Sequence, residues 1–394
     1  MSDRLQEKRS FAANMKRYEC GGIALSTDFR SKYFSRTQSG FPDEVIVLGV
    51  TYEKVEDLRY GTNPHQGASL YRPKGASGLT FGNLEILKTG KSGLSETNYS
   101  DLNHGANIVK YFEQPACAVM KHLNPSGAAV QYGDQSQRTV YIRARDADPV
   151  AAFGGTVVLN TPLTVETAKE IMKSVVEVVA APDYEEGSLE VLNDHATYKM
   201  NKEIRAIRLP NIPELPKWVG EDAFPTIKVM SDGSLVIAEA LLTRIKSADD
   251  LQLAYTQHPS RGEFTCDVKP TTDMMNDLLF SWYVNLSVRS NGIVIAKNGV
   301  TIAVGTGQQD RVAAVRQAID KAREKFQGDE SLEGSVMSSD AFFPFRDSVD
   351  AAAEAGIRAI VQPGGSVRDW EAIQACNEHA MSMVFTGERC FSHH

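Results

Sequence analysis

Three features predict an α/β fold with layered helices. Short apolar runs of strand length alternate with segments of helical period, turn residues punctuate the alternation, and the pattern recurs in both halves of the 394-residue chain. Residues 1–45 are polar and without clear period, and read as an N-terminal extension. Residues 45–55 are apolar and strand-like and lead into Leu58-Arg59-Tyr60-Gly61-Thr62-Asn63-Pro64-His65-Gln66. Helical spacing over 102–112 runs into a buried strand at 116–120, and Asn124-Pro125-Ser126-Gly127 is turn chemistry. Residues 148–155 precede a strand at 156–159. Thr164 is placed to cap a helix whose periodicity runs over 167–179, with Ala180-Ala181-Pro182-Asp183 as its stop. Pro210, Pro213, Pro216 and Pro225 mark a connector. Beyond it, 273–290 reads as helix, 292–297 as strand, Asn298-Gly299 as a hairpin turn and 300–304 as the returning strand. A helix from about 310 to 326 follows, then two more βα units with strands at 357–361 and 382–385. The expected organisation is an extension (1–45), a first α/β subdomain (46–204), a connector with a helical segment (205–272) and a second α/β subdomain (273–394).

Hydrophobic content of 42% and charged content of 23% are those of a soluble globular protein. A net charge of −8 argues against a general nucleic-acid or membrane-surface binder, while leaving room for a local basic pocket that takes an anionic metabolite. The first residues carry no signal-peptide pattern, and no apolar run is long enough to span a bilayer. Five scattered cysteines (20, 117, 266, 376 and 390) form neither a disulfide framework nor a zinc ligand set. A reduced, cytoplasmic protein with no nucleic-acid or membrane partner is expected.

Lys121 and His122 stand side by side where the buried strand should end, and open α/β sheets bind ligands beyond the carboxyl ends of their strands. A neighbouring ammonium disfavours imidazolium and so tends to keep the histidine able to accept a proton. Arg59-Tyr60 with Asn63-Pro64-His65-Gln66 offers a guanidinium suited to phosphate, an aromatic face and several hydrogen-bonding groups. Gly305-Thr306-Gly307-Gln308-Gln309-Asp310-Arg311 joins a strand to a helix, where backbone N–H groups can hold an anion, but it lacks dinucleotide-fingerprint spacing. Lys88-Thr89-Gly90-Lys91-Ser92 fails as a P-loop because Glu85 occupies the position of the first glycine. Residues 338–347 set three phenylalanines among two aspartates and an arginine, an apolar slot with an acidic end that suits a pteridine. Pro363-Gly364-Gly365-Ser366 and 389–394 are further candidate loops. His104, His195, His258 and His379 have no companions at ligand spacing, and the motif of zinc deaminases is missing.

Together LRYGTNPHQ, KHLNPSG, DPVAAFGG, AKNG with GTGQQDR, SSDAFFPFRD, QPGGS and the terminal RCFSH closely resemble the transformylase part of the bifunctional AICAR formyltransferase/inosinate cyclohydrolase family, over residues 58–393. AICAR is 5-aminoimidazole-4-carboxamide ribonucleotide. The resemblance implies two cytidine-deaminase-like α/β/α subdomains and a homodimer with active sites at the subunit interface. It also implies formyl transfer from 10-formyltetrahydrofolate to the 5-amino group of AICAR without a catalytic metal. Fewer than sixty residues precede Leu58, so the cyclohydrolase domain is expected to be missing. Carried over, His122 is the base, Lys121 stabilises the oxyanion and Asn291 holds the carboxamide. Arg59, Tyr60, Arg311 and Arg389 address the nucleotide, and Asn98, Phe153, Gly154, Glu177, Phe342 and His393 lie near it. Val312, Pro344, Phe345, Asp347, Ser366, Val367 and Phe391 fall on the folate side. A structural potassium ion is implied near Ser290 and Asp340. Two positions depart from the family pattern: Glu177 stands where some relatives have aspartate, and Asp310 where many have serine, beside Arg311, where its charge either weakens nucleotide binding or shifts the arginine. Other readings are formylation driven by formate and ATP, and a non-catalytic AICAR-binding protein.

Overall fold

The computed structural model describes residues 36–393 apart from Lys91. The expected N-terminal extension lies outside the described residues as far as residue 35. The chain divides into two compact units, Met1–Ala76 with Ser92–Glu96, and Ser77–Lys91 with Thr97–His394.

The smaller unit holds the antiparallel strands β1 (Glu44–Val47), β2 (Val50–Asp57) and β3 (Ser69–Pro73). The apolar stretch 45–55 is therefore a hairpin, and it turns at Leu48 and Gly49, both at positive φ. The motif loop after β2 is tied to itself. Gly61 N–H donates to the Gln66 carbonyl (2.7 Å), and the Gln66 side-chain oxygen accepts from Asn63 N–H (2.8 Å).

The larger unit contains β4 (Glu85–Lys88), α1 (Glu96–Val109, whose first residue is counted with the smaller unit), β5 (Ala116–Lys121), β6 (Asn124–Val130), α2 (Gln137–Asp146), α3 (Pro149–Ala152), β7 (Gly155–Leu159), α4 (Val165–Ile171), β8 (Val176–Ala181), α5 (Ser188–Asn193) and β9 (Arg205–Arg208). The stretch expected as connector supplies β9, the hairpin β10 (Thr226–Val229) and β11 (Leu235–Ala238), the short β12 (Gln252–Leu253), and the hairpin β13 (Tyr255–His258) and β14 (Gly262–Thr265). Then come α6 (Thr272–Asn285), β15 (Ile293–Lys297), β16 (Val300–Gly305), α7 (Arg311–Glu324), β17 (Val336–Ser339), α8 (Asp347–Glu354), β18 (Ala359–Gln362), α9 (Asp369–Glu378) and β19 (Ser382–Phe385).

Twelve strands form one mixed sheet in the order β12-β19-β18-β17-β15-β16-β6-β5-β7-β8-β9-β4. From the centre outward, one half runs hairpin β6/β5, antiparallel β7, parallel β8 and β9, antiparallel β4. The other half repeats those directions with β16/β15, β17, β18, β19 and β12. The halves meet where Val300 pairs with Ala129, antiparallel. The two central hairpins therefore turn at opposite ends of the sheet.

Both faces are covered, which is why β5 as far as Met120 and all of β7 are buried. Val119, Val157 and Leu159 pack with α2 and α4, and Ile293 and Ile295 pack with α7, α8 and α9. Met120 and Val158 point the other way, toward α1, where Gly105 permits close approach: a Cβ there would meet Val158 Cγ2 at 2.6 Å. In the second half α6 covers β15, β17 and β18. The expected helix over 167–179 stops at Ile171, although Thr164 caps its start as expected. Asn201 ties off this end, its amide donating to the Met172 carbonyl (3.2 Å) and accepting from Val176 N–H (3.0 Å), so the rest of the apolar run enters β8.

Candidate active site

Lys121 pairs with Asn124, so His122 and Leu123 form a two-residue hairpin turn. The segment 124–127, read from sequence as the turn, is instead the start of β6. Its proline sits at a register shift opposite Met120, where a missing N–H is tolerated. His122 and Leu123 have φ of 52° and 67°. Two-residue hairpins favour this left-handed geometry but usually fill it with Asn-Gly, and another residue there costs roughly 1–2 kcal/mol. Asp101 on α1 holds the turn, accepting from Leu123 N–H at 2.7 Å. Burial pushes its carboxyl up to about 6, against the lowering pull of the Leu123 N–H, His122 and Lys121, while Glu177 adds to the rise. Sequence reasoning missed Asp101. A signal was present, since an aspartate precedes a lysine by twenty residues in both halves (Asp101 and Lys121, Asp277 and Lys297).

The imidazole of His122 is exposed, whereas the Lys121 ammonium is anchored, donating to the Gly154 carbonyl at 2.8 Å. Gly154 sits at φ 66°, and a Cβ there would stand 3.3 Å from Lys121 Nζ. Phe153 beside it points outward. Glu177, the second residue of β8, is half-exposed and 3.9 Å from the buried Arg205. Asn98 is buried on α1, one turn before Asp101.

Asn124 connects the turn to the second half. Its side-chain oxygen accepts from Arg289 N–H and Thr306 Oγ1 (both 2.9 Å), and its amide donates to the His122 carbonyl (3.2 Å). Ser290 N–H donates to the Ser392 carbonyl (3.0 Å), which brings the terminal segment to the same place. Asn291 is fixed through its amide to the Gln308 carbonyl (2.9 Å). Arg311 is buried at the start of α7 in an ion pair with Asp340, which also accepts from Gly292 N–H at 2.9 Å. Each oxygen of Asp340 thus accepts from one donor, Arg311 on one and Gly292 N–H on the other. Asp310 forms no ion pair with Arg311 among the described residues. It caps α7, accepting from Ala313 N–H at 2.7 Å. The guanidinium carbons of Arg311 and Arg389 lie 5.8 and 4.7 Å from the Phe391 ring centre, and the His393 ring stands edge-on to it at 5.6 Å.

Of the three phenylalanines in 338–347, Phe343 is fully buried core, while Phe342 and Phe345 are 42% and 50% exposed. Arg368 covers Phe345 at 5.0 Å, and the Gly365 and Ser366 N–H groups are gathered by Asp369 (2.7 and 3.1 Å). Asp347 starts α8, Pro344 and Val312 are partly buried, and Val367 is 87% exposed. Ser366 and Val367 follow β18, five strands from β5 in the sheet order, or roughly 24 Å at the usual strand spacing. One chain therefore gathers Lys121, His122, Gly154, Asn291, Arg311, Arg389, Phe391 and His393 through bonded neighbours, while the 366–367 loop stands apart. Arg59 and Tyr60 belong to the smaller unit, both buried, with the guanidinium 4.4 Å from the ring centre. Among the described residues no three His, Cys, Asp or Glu side chains cluster as a metal site, and no helix is long and apolar enough to cross a membrane.

The family model described as AICARFT/IMPCHase bienzyme matches residues 24–321. The bifunctional purine biosynthesis protein PurH of Clostridium perfringens is 40% identical over 346 residues, covering 88% of this chain and 60% of its own length. That of Persephonella marina is 40% identical over 354 residues (90% and 62%), and that of Oceanobacillus iheyensis 37% over 392 residues (100% and 69%). The chain thus spans about 60% of the length of the first of these relatives. A family match over most of the chain, joined to relatives at this identity, shows that the protein belongs to the AICARFT/IMPCHase bienzyme family.

Proposed function

We propose that the chain transfers the formyl group of 10-formyltetrahydrofolate to the 5-amino group of AICAR, giving formyl-AICAR and tetrahydrofolate. Family membership supports formylation of AICAR in purine biosynthesis as the reaction. The observation that carries the reading to named atoms is the exposed His122 imidazole next to a Lys121 ammonium fixed on the Gly154 carbonyl.

An aromatic amine conjugated to a carboxamide is a weak nucleophile. As its nitrogen bonds to the formyl carbon, His122 takes the N–H proton. The bond from that carbon to N10 of the folate then breaks, and the proton passes to N10. General-base help of this kind is worth roughly 10²–10⁴-fold. Lys121 keeps donors for the formyl oxygen as it gains charge, worth about 10²–10³-fold at a preorganised site. Asn291, with its amide N–H on Gln308, offers its oxygen to the AICAR amine and carboxamide. The nucleotide-side and folate-side residues keep the roles the resemblance implies, within two cytidine-deaminase-like halves. The distance along the sheet between Lys121 and the 366–367 loop supports a homodimer in which each site draws on both copies.

Tetrahydrofolate release, followed spectroscopically, tests the reading. AICAR-dependent release is expected from the wild-type chain, with loss in His122→Ala while AICAR still binds. Formylation of AICAR that requires formate and ATP and releases no tetrahydrofolate, or binding without any turnover, would contradict it.

A further inference from the structure

Asp101 has a twin. On α6, at the same place in the helix, Asp277 gives one oxygen to Asn298 N–H (2.8 Å) and the other to Gly299 N–H (2.7 Å), so both carboxylate oxygens serve the turn. Asp101 gives one oxygen to Leu123 N–H, the only hydrogen bond of its carboxylate among the described residues. The residue types explain the contrast. Asn-Gly settles into left-handed backbone readily, whereas His-Leu does not and needs holding from outside. The carboxylate that holds it is 5% exposed, and the charged groups acting on it are Lys121, His122 and Glu177. Little solvent screens a negative charge in such a place.

We propose that Asp101 is a positioning residue for formyl transfer: it clamps the left-handed His122-Leu123 turn through Leu123 N–H and keeps its remaining oxygen as a fixed negative charge for the Lys121–His122 pair. The inference rests on the transformylase reading, since the imidazole it places is the base of that reaction. Asp101 does not touch the reacting atoms. It fixes where His122 stands, and misplacement by about 1 Å can cost on the order of 10²-fold in rate.

Asp101→Asn and Asp277→Asn in the full chain form a matched pair. The asparagine at 101 can still accept from Leu123 N–H but carries no charge. Expected for D101N is a kcat at least about tenfold lower, with KM for AICAR within about threefold and Tm at pH 8 no lower than wild type. D277N should keep kcat within about twofold. A D101N enzyme with kcat within about twofold of wild type, or equal kcat losses in both variants, would overturn the proposal. The imidazole carbon–proton NMR signal of His122 reads the same placement without turnover. It should move in D101N and stay in D277N, and a signal unmoved in D101N overturns the proposal whatever the activity. A wild-type chain that releases no tetrahydrofolate while the His122 signal still moves in D101N would sink the transformylase reading alone.

Discussion

The hairpins β5–β6 and β15–β16 turn at opposite ends of one sheet with almost the same contacts. Each strand ends in a lysine whose ammonium rests on a backbone carbonyl, Lys121 on Gly154 (2.8 Å) and Lys297 on Glu333 (2.7 Å). Each turn is held by an aspartate from the preceding helix at 2.7 Å. The first central residue has φ 52° in both, and the second 67° or 70°. What differs is the residue pair, His122-Leu123 against Asn298-Gly299. The frame of lysine, aspartate and left-handed turn is thus a property of the repeated fold. In the proposed reaction, chemistry enters where one copy gives up the residues its backbone prefers and takes an imidazole instead. Departures of this kind from local preference concentrate at functional sites.

The largest test of this contrast removes the two side chains that differ. His122→Ala should lower formyl transfer by roughly 10²–10⁴-fold, while Asn298→Ala leaves kcat alone; equal effects would erase the distinction. The lysines come next. Lys121→Ala should lower kcat by about 10²–10³-fold with a smaller change in KM, and Lys297→Ala should do neither. A KM effect larger than the kcat effect would make Lys121 a binding residue.

A third test concerns stability. With its pKa raised from 3.8 to about 6, Asp101 holds a proton more tightly in the folded chain than in the unfolded one. Stability from this group is fully present below the unfolded value and lost as pH rises through the folded one. Above that window the buried charge costs on the order of 2–3 kcal/mol. D101N should therefore unfold at higher denaturant than wild type at pH 8 and gain little at pH 4, and a lower midpoint at pH 8 would show that the charge supports the fold. The smallest effect is expected at the other turn. Gly299→Ala puts a Cβ at φ 70° and 2.9 Å from Val130 Cγ1, which should destabilise by about 1–2 kcal/mol without slowing transfer. Slower transfer would mean that the second turn serves the reaction.

Much of this frame was legible in the sequence. The β5 strand, the Asn298-Gly299 turn, the Thr164 cap and the 382–385 strand follow from local pattern, and local pattern also located Lys121 and His122 at a strand end. What stayed hidden was non-local. Asp101 meets Leu123 across 22 residues, and Asn124 meets Arg289 across 165. Pro125 and Gly127 look like turn residues, yet one fills a bulge and the other clears space where a Cβ would meet the Ala144 carbonyl at 2.2 Å. The run 167–179 blends a helix and a strand because both send apolar residues into the same core. The partner of Arg311 could not be read either, since Asp340 reaches it only once β17 lies beside β15.

A crystal of the chain with AICAR bound compares the two turns most directly. A ring nitrogen of His122 is expected at about 3 Å from the nucleotide's exocyclic amine, within hydrogen-bond reach, with the Asn298 turn empty of nucleotide. An amine held well beyond that reach from His122, or a nucleotide seated at Asn298, would contradict the account.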